Sequence, residues 1–253
     1  MRREGSAFQG VGTVFVKELS DNISSVRMLV LELLVVLTAL AALYGGIDSL
    51  RQNTAEDPFL LLRLFTVARD PLPSFVAMLG FLVPLMAIGL GFDAVNSEHS
   101  RRTLSRILSQ PIYRDALLFG KVLAGLCIIA ISMLCLWLLV IGLGLIMLGV
   151  PPGGEEMMRA LIFLIVTIIY AGVWLALAML FSILFRSPAT AALITLGLWL
   201  FVTLIWPALA PAIALAVFPS HDQATLIIAA QSLSRLSPST LYGEIVVALL
   251  DPS

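Results

Sequence analysis

Residues 116–150 form an apolar run of 35 residues in which Lys121 is the sole charged side chain. As a helix at ~1.5 Å per residue it would reach roughly 50 Å, well beyond the ~30 Å hydrocarbon core of a bilayer. An unbroken apolar cylinder of that length has no place in a water-soluble fold, and its excess calls for tilt or for extension beyond the membrane at one end. Four more runs, at 28–47, 74–92, 159–185 and 189–218, are each long enough to cross. Charged residues make up 12% of the chain, about half the share of a soluble domain, and hydrophobic residues 60%. The expected fold is an all-α polytopic membrane protein with five transmembrane helices, residues 1–253 making one transmembrane domain.

The segments between the runs are marked by breakers. Pro151-Pro152-Gly153-Gly154 ends the third run, and Arg186-Ser187-Pro188 turns the fourth into the fifth. Pro84 falls mid-span and predicts a kink whose freed carbonyl is satisfied by neighbouring groups. Pro207 and Pro211 predict that the far end of the fifth span bends or unwinds. Residues 48–73 hold an apolar patch at 59–67 too short to cross, expected at the interface with Arg63 and Arg69 towards head groups. Residues 219–253 form an external segment whose apolar runs, 224–230 and 245–250, are also too short. Gly142, Gly144 and Gly149 fit either close helix packing or a spacer. Cys127 and Cys135 lie roughly 12 Å apart on one helix, too far to bridge, and read as core residues.

Residues 1–27 lack the continuous apolar core of a signal peptide. Phe8, Val11, Val14, Phe15 and Leu19 fall near helical spacing, opposite Lys17, Glu18 and Asp21, so an amphipathic helix on the membrane surface is expected. Glu32 lies about one turn inside the first span and is expected to snorkel or to pair with Arg27. Lysine and arginine divide unequally between the two sides. Arg2, Arg3, Lys17, Arg27, Arg101, Arg102, Arg106, Arg114, Lys121 and Arg186 face Arg51, Arg63, Arg69, Arg159 and Arg235. That bias puts the N-terminus and the 93–115 loop in the cytoplasm, in a multi-pass protein of the cell (plasma or inner) membrane. Five spans leave the C-terminus outside.

Several kinds of chemistry find no support. Gly120-Lys121 lacks the upstream glycine of a phosphate loop and is followed by Val122, so no ATP site of that kind is present. No H-E-x-x-H occurs, and His99 and His221 fall on opposite sides of the membrane; no metal site is expected. No G-x-S-x-G elbow occurs, so the chain is not expected to be an enzyme. A net charge of −1 gives no sign of a nucleic-acid partner. Ion-coupled carriers place ionisable groups or broken helices near the midplane, and beyond Glu32 the span interiors are apolar, with Pro84 the single break there.

The polar stretch 93–121 is too long for a turn. Leu104, Ile107, Leu108 and Ile112 recur at helical spacing, with Arg101, Arg102, Ser105, Arg106 and Ser109 between them. A helix over 96–110, opened at Asn96-Ser97-Glu98 and closed at Gln110-Pro111, fits this pattern. Periodicity alone does not separate a docking helix from a basic helix resting on anionic head groups. The order of residues does more. Glu98, Arg101, Thr103-Leu104, Ile107-Leu108, Pro111, Arg114 and Gly120-Lys121 resemble the loop between spans two and three of ABC type-2 exporter permeases. The family pattern there is E-x-x-R-G-T-L-x-x-L-L-x-x-P-x-x-R, with a G-K entering span three; Arg102 stands where the family has glycine. Phe92-Asp93-Ala94 and Lys17-Glu18-Leu19 are similar to family features too.

That resemblance implies a permease subunit of an ATP-driven exporter. It implies a second permease subunit, alike or different, and two copies of a separate cytoplasmic ATPase that binds the ATP and magnesium. Glu98, Arg101, Arg102, Thr103, Leu104, Arg106, Ile107, Leu108, Pro111 and Arg114 would form the coupling helix that docks on the ATPase, and spans one, two and five would line the path. Family members have six spans with both termini inside, so a chain of five is expected either to stop short of a sixth or to give residues 224–250 an unusual course. Two other functions fit a polytopic membrane protein with a docking loop: a scaffold that binds a soluble partner without transport, and an ion-coupled carrier.

Overall fold

The computed structural model describes residues 10–52, 60–68, 73–97, 114–149, 151–218 and 223–251. Every regular element among them is a helix. In chain order these are α1 (Val11–Ile23), α2 (Val26–Gln52), α3 (Leu60–Thr66), α4 (Phe75–Gly91), α5 (Arg114–Leu148), α6 (Gly154–Leu184), α7 (Pro188–Leu200), a π turn (Phe201–Ile205), α8 (Trp206–Val217), α9 (Gln223–Ser234) and α10 (Pro238–Leu250). Four stretches are long and apolar enough to cross a bilayer: Val26–Asp48, Asp115–Met147, Gly154–Leu184 and Pro188–Val217. Helix α4, with 17 residues, is the shortest that reaches the crossing range. The protein is an all-α polytopic membrane protein.

Local chemistry sets the helix ends. Ser25 accepts the Met28 N–H at 3.1 Å, Ser74 the Ala77 N–H at 3.3 Å, and Ser237 the Thr240 N–H at 3.4 Å. Each satisfies one of the orphan donors at a helix start. Pro188 and Pro238 sit in first turns, where a missing N–H costs nothing. Gly149, at φ +72, closes α5 in the left-handed conformation that a side chain resists.

Helix α4 is the axis of the bundle. Phe75, Leu79, Leu82, Val83, Pro84, Met86, Ala87, Ile88 and Leu90 on it are all buried. Along its last turns it lies against α6 at a distance only small residues permit: a Cβ on Gly91 would stand 2.8 Å from Ala178 Cβ and 3.1 Å from the Leu175 carbonyl. Helix α3 departs from the interfacial position expected of its patch. Leu61, Leu62, Leu64 and Phe65 are buried, Arg63 stays exposed, and Phe65 meets Phe75 and Phe163 edge-on at 5.6 and 5.5 Å. Two things let so short a helix enter the core. Gly144 of α5 leaves room for Leu61 and Leu64, whose methyls would lie 3.2 Å from a Cβ there. The buried Glu156 carboxylate supplies the other: its Oε1 accepts the Leu61 N–H at 3.0 Å while Oε2 accepts the Gly153 N–H at 2.9 Å. One side chain thus serves the starts of α3 and α6, where helix dipoles favour a negative charge.

The prolines are accommodated by specific partners. Pro84 cannot donate to the carbonyl of Gly80, and the Tyr170 hydroxyl of α6 donates to it at 3.1 Å. The same hydroxyl lies 3.0 Å from Ser239 Oγ, and Tyr170 stacks on Tyr242 at 4.4 Å between ring centroids. Tyr170→Phe is therefore expected to destabilise the bundle by about 1–3 kcal/mol, the cost of a buried acceptor left unpaired, measured by thermal unfolding in detergent. The fifth span does not unwind at Pro207 and Pro211. It stays helical to Val217, and the strain appears ahead of Pro207 as the π turn. The extra residue in that turn gives the proline ring space, and the loosened Val202 carbonyl accepts from Ser237 Oγ at 3.0 Å. Helices α9 and α10 fill the segment after the fifth span. Tyr242, Val246 and Leu250 bury one face of α10, and Trp206 donates to the last turn of α9 at Leu233.

Candidate functional site

Glu98, Arg101, Arg102, Thr103, Leu104, Arg106, Ile107, Leu108 and Pro111 lie outside the described residues, and Arg114 is the first residue of α5. What the structure describes is how the two ends of the polar stretch are held, at residues 91–97 and at residues 114–121.

The entry side is fastened to two helices. Asp93 Oδ2 accepts from Arg27 Nη1 at 2.7 Å, and the Arg27 guanidinium also sits over the Phe92 ring, 5.3 Å from its centroid. Arg27 is thus committed to the end of α4 and not, as expected from spacing, to Glu32: a residue five positions along a helix points away, whereas Asp93 emerges beside the α2 start. On the other flank Ser182 of α6, fully buried, accepts both the Val95 and the Asn96 N–H groups at 3.0 and 3.2 Å. Asn96 Nδ2 closes the turn on the Phe92 carbonyl at 3.2 Å. These bonds occupy donors and acceptors that a helix end leaves open, so residues 92–97 leave α4 in a set direction.

The exit side is fastened to α1. Lys121 Nζ lies 2.8 Å from Glu18 Oε1, and the two side chains are only 4% and 13% exposed. Ahead of this pair Gly120 gives α1 its seat: a Cβ there would fall 2.7 Å from Val14 Cγ1 and 3.2 Å from the Val11 carbonyl. Val14 is the buried residue of α1. Beyond the surface position expected of it, α1 packs along the first turns of α5. Lys17 adds contacts at 3.1 Å to Glu18 and 3.0 Å to Asp21. Partial burial would lower the Lys17 pKa, but its hydrogen bond to Asp21 and the charge and hydrogen bond of Glu18 raise it above the ordinary lysine value, so it stays charged at neutral pH. Lys17-Glu18 and Gly120-Lys121, noted separately in the sequence, are two halves of one contact.

The described ends of the polar stretch are thus fastened, residues 93–96 to α2 and α6 and residues 120–121 of α5 to α1. Residues 13–250 match the family described as ABC-2 family transporter protein. The chain belongs to that family. It is a membrane subunit of an ABC transporter. The chain is 28% identical over 237 residues to a protein of Pseudomonas aeruginosa named probable ABC transporter permease protein NosY, covering 91% of this chain and 75% of that one. It is 26% identical over 196 residues to the protein of the same name from Stutzerimonas stutzeri, covering 75% of this chain and 65% of that one.

Ser182, Asp93 and Glu156 were not legible as functional anchors. A serine in an apolar helix gives no signal of the backbone it will meet, and Asp93, the partner of Arg27, lies 66 positions from it in the sequence. Cys135 also departs from expectation: it is exposed, while Cys127 is half-buried.

Proposed function

We propose that this chain is the permease subunit of an ABC exporter, moving its substrate with ATP hydrolysed by a separate ATPase and itself carrying no catalytic site. Two copies of the ATPase and a second permease, identical or not, complete the assembly in the cell membrane. The N-terminus and the polar loop face the cytoplasm, following the excess of lysine and arginine there. Residues 96–110 are the coupling helix, with Leu104, Ile107 and Leu108 as apolar anchors and Arg101, Arg102 and Arg106 at the rim of the ATPase groove. Glu98, Thr103, Pro111 and Arg114 complete the docking segment. ATP-driven closure of the ATPase pair moves this segment, and the clamps pass the movement to the bundle. The path runs between permease subunits along α2, α4 and the α7–α8 helix.

The observation that supports this reading is the double fastening of the loop. A mere tether would need neither the buried Glu18–Lys121 pair nor the capture of two backbone N–H groups by Ser182. Leu104→Asp with Ile107→Asp is expected to abolish co-purification with the ATPase and to reduce ATP-dependent transport in proteoliposomes at least tenfold. Unchanged association and transport would remove the coupling role. Docking without ATP-dependent substrate movement would identify a scaffold, and flux without any ATPase would identify a carrier.

A further inference from the structure

Between α2 and the middle of α5 lies a cleft of about 670 Å³, walled by apolar side chains that include Leu29, Leu33 and Ile131, with Ser132 and Cys135 on the α5 side. Glu32 is the one ionisable group that lines it besides the Cys135 thiol. Its Oε2 is buried and has no hydrogen-bond partner. The cations of this part of the molecule are engaged with other carboxylates: Arg27 with Asp93, Lys17 with Glu18 and Asp21, and Lys121 with Glu18. Glu32 stands five residues beyond Arg27 along α2, roughly 7.5 Å further from the α2 start. A carboxylate among hydrocarbon side chains at that depth is costly unless a cation meets it.

We propose that this cleft binds an amphipathic cation, a protonated amine on an apolar body, with the amine at Glu32 and the body along Leu29, Leu33 and Ile131. The walls supply area for an alkyl or ring system, and the carboxylate supplies the single charge that decides among amphiphiles. A neutral amphiphile leaves Oε2 unpaired, and an anionic one is repelled. Leu29, Leu33 and Ile131 are 64%, 53% and 49% exposed, so the cleft opens sideways and a membrane-dissolved molecule can enter without crossing water. Binding at this cleft needs no ATPase and does not depend on the exporter reading.

Cys135 is a built-in reporter, and Cys127, which does not line the cleft, is its control. The full chain in phosphatidylcholine nanodiscs is alkylated with a membrane-permeant maleimide, and each cysteine is followed by mass spectrometry. Dodecylamine is expected to slow modification of Cys135 at least fivefold and to leave Cys127 unchanged, while dodecanol has no effect. In Glu32→Gln the protection is expected to vanish with the basal rate at Cys135 retained. Comparison of the two probes on the unaltered protein needs no variant and stands even where that substitution impairs folding. Equal protection by dodecanol, or protection that survives Glu32→Gln, overturns charge recognition. A Cys135 already blocked before any amine is added points to a second copy over the cleft and overturns the proposal. Phosphatidylethanolamine carries the same ammonium beside a phosphate, so protection by it equal to that by dodecylamine assigns the cleft to bilayer lipid and overturns a free amphipathic cation as the occupant.

Discussion

Glu18→Ala is expected to cut ATP-dependent transport at least tenfold while the membrane bundle stays folded. The carboxylate it removes faces a Lys121 side chain only 4% exposed, at 2.8 Å. Truncating one partner of a buried pair costs up to roughly 3–5 kcal/mol, less where the remaining charge keeps other contacts, as Lys121 does. Glu18 is itself 13% exposed, so the lower end of that range applies. Against it stand the seat of Val14 at Gly120, the packing of Leu19 on the core and the contact of α1 along α5, a 13-residue helix too short to be stable alone. Helix α1 should therefore release, and on the proposed reading the exit end of the 93–121 stretch should lose its brace. Limited proteolysis within α1 reads the release directly, beside the transport assay. The reversed pair, Glu18→Lys with Lys121→Glu, should restore most of both signals, since the geometry is kept and the charges merely exchange. If transport persists in a Glu18→Ala protein whose α1 is cleaved freely, α1 has no part in coupling.

The second large effect is expected at Glu156, away from the 93–121 stretch. Its two oxygens each accept a backbone N–H, from Leu61 at 3.0 Å and Gly153 at 2.9 Å, and the residue is 6% exposed. Hydrogen bonds to a charged acceptor contribute about 1.5–3 kcal/mol each. Glu156→Ala should therefore destabilise the protein by roughly 3 kcal/mol or more, a fall of roughly 6–12 °C in thermal unfolding in detergent. Glu156→Gln keeps one acceptor but turns an amide donor toward the other N–H, so it should recover no more than about half of the loss. The local consequence is as specific as the global one: α3 loses its start, and the Phe65 contacts with Phe75 and Phe163 loosen. An unchanged unfolding temperature for Glu156→Ala would show that solvent or another group satisfies those donors.

Both sites carry a lesson about what a linear reading captures. The 35-residue apolar run and its four shorter companions commit the chain to a bilayer through length and hydropathy alone. Backbone groups in lipid must then be satisfied internally, which leaves helices as the spanning elements. One breaker was equally legible: Arg186-Ser187-Pro188 reads as a turn, and Pro188 opens the helix after it. The resemblance around residues 93–121 named a family that the match over residues 13–250 bears out. All of these are local properties, set by a residue and its near neighbours along the chain.

Partnership across the bundle was not legible, because it depends on which faces meet. Arg27 chose Asp93, 66 positions away, over Glu32 nearby. The apolar patch of α3 has the same composition whether it lies at an interface or in a core; Glu156 and Gly144, from two other helices, decide for the core. Pro84 announced a freed carbonyl, but only the packing of α6 on α4 put the Tyr170 hydroxyl on it. Pro207 announced a bend, and the structure resolved it as a π turn whose open carbonyl is met by Ser237 of α10. Sequence by itself determined that this chain spans a membrane as helices and resembles the ABC-2 family around residues 93–121. Tertiary structure alone decided how that loop is anchored, since a hydrogen bond or a buried ion pair exists only once distant helices have packed close enough to exclude water from it.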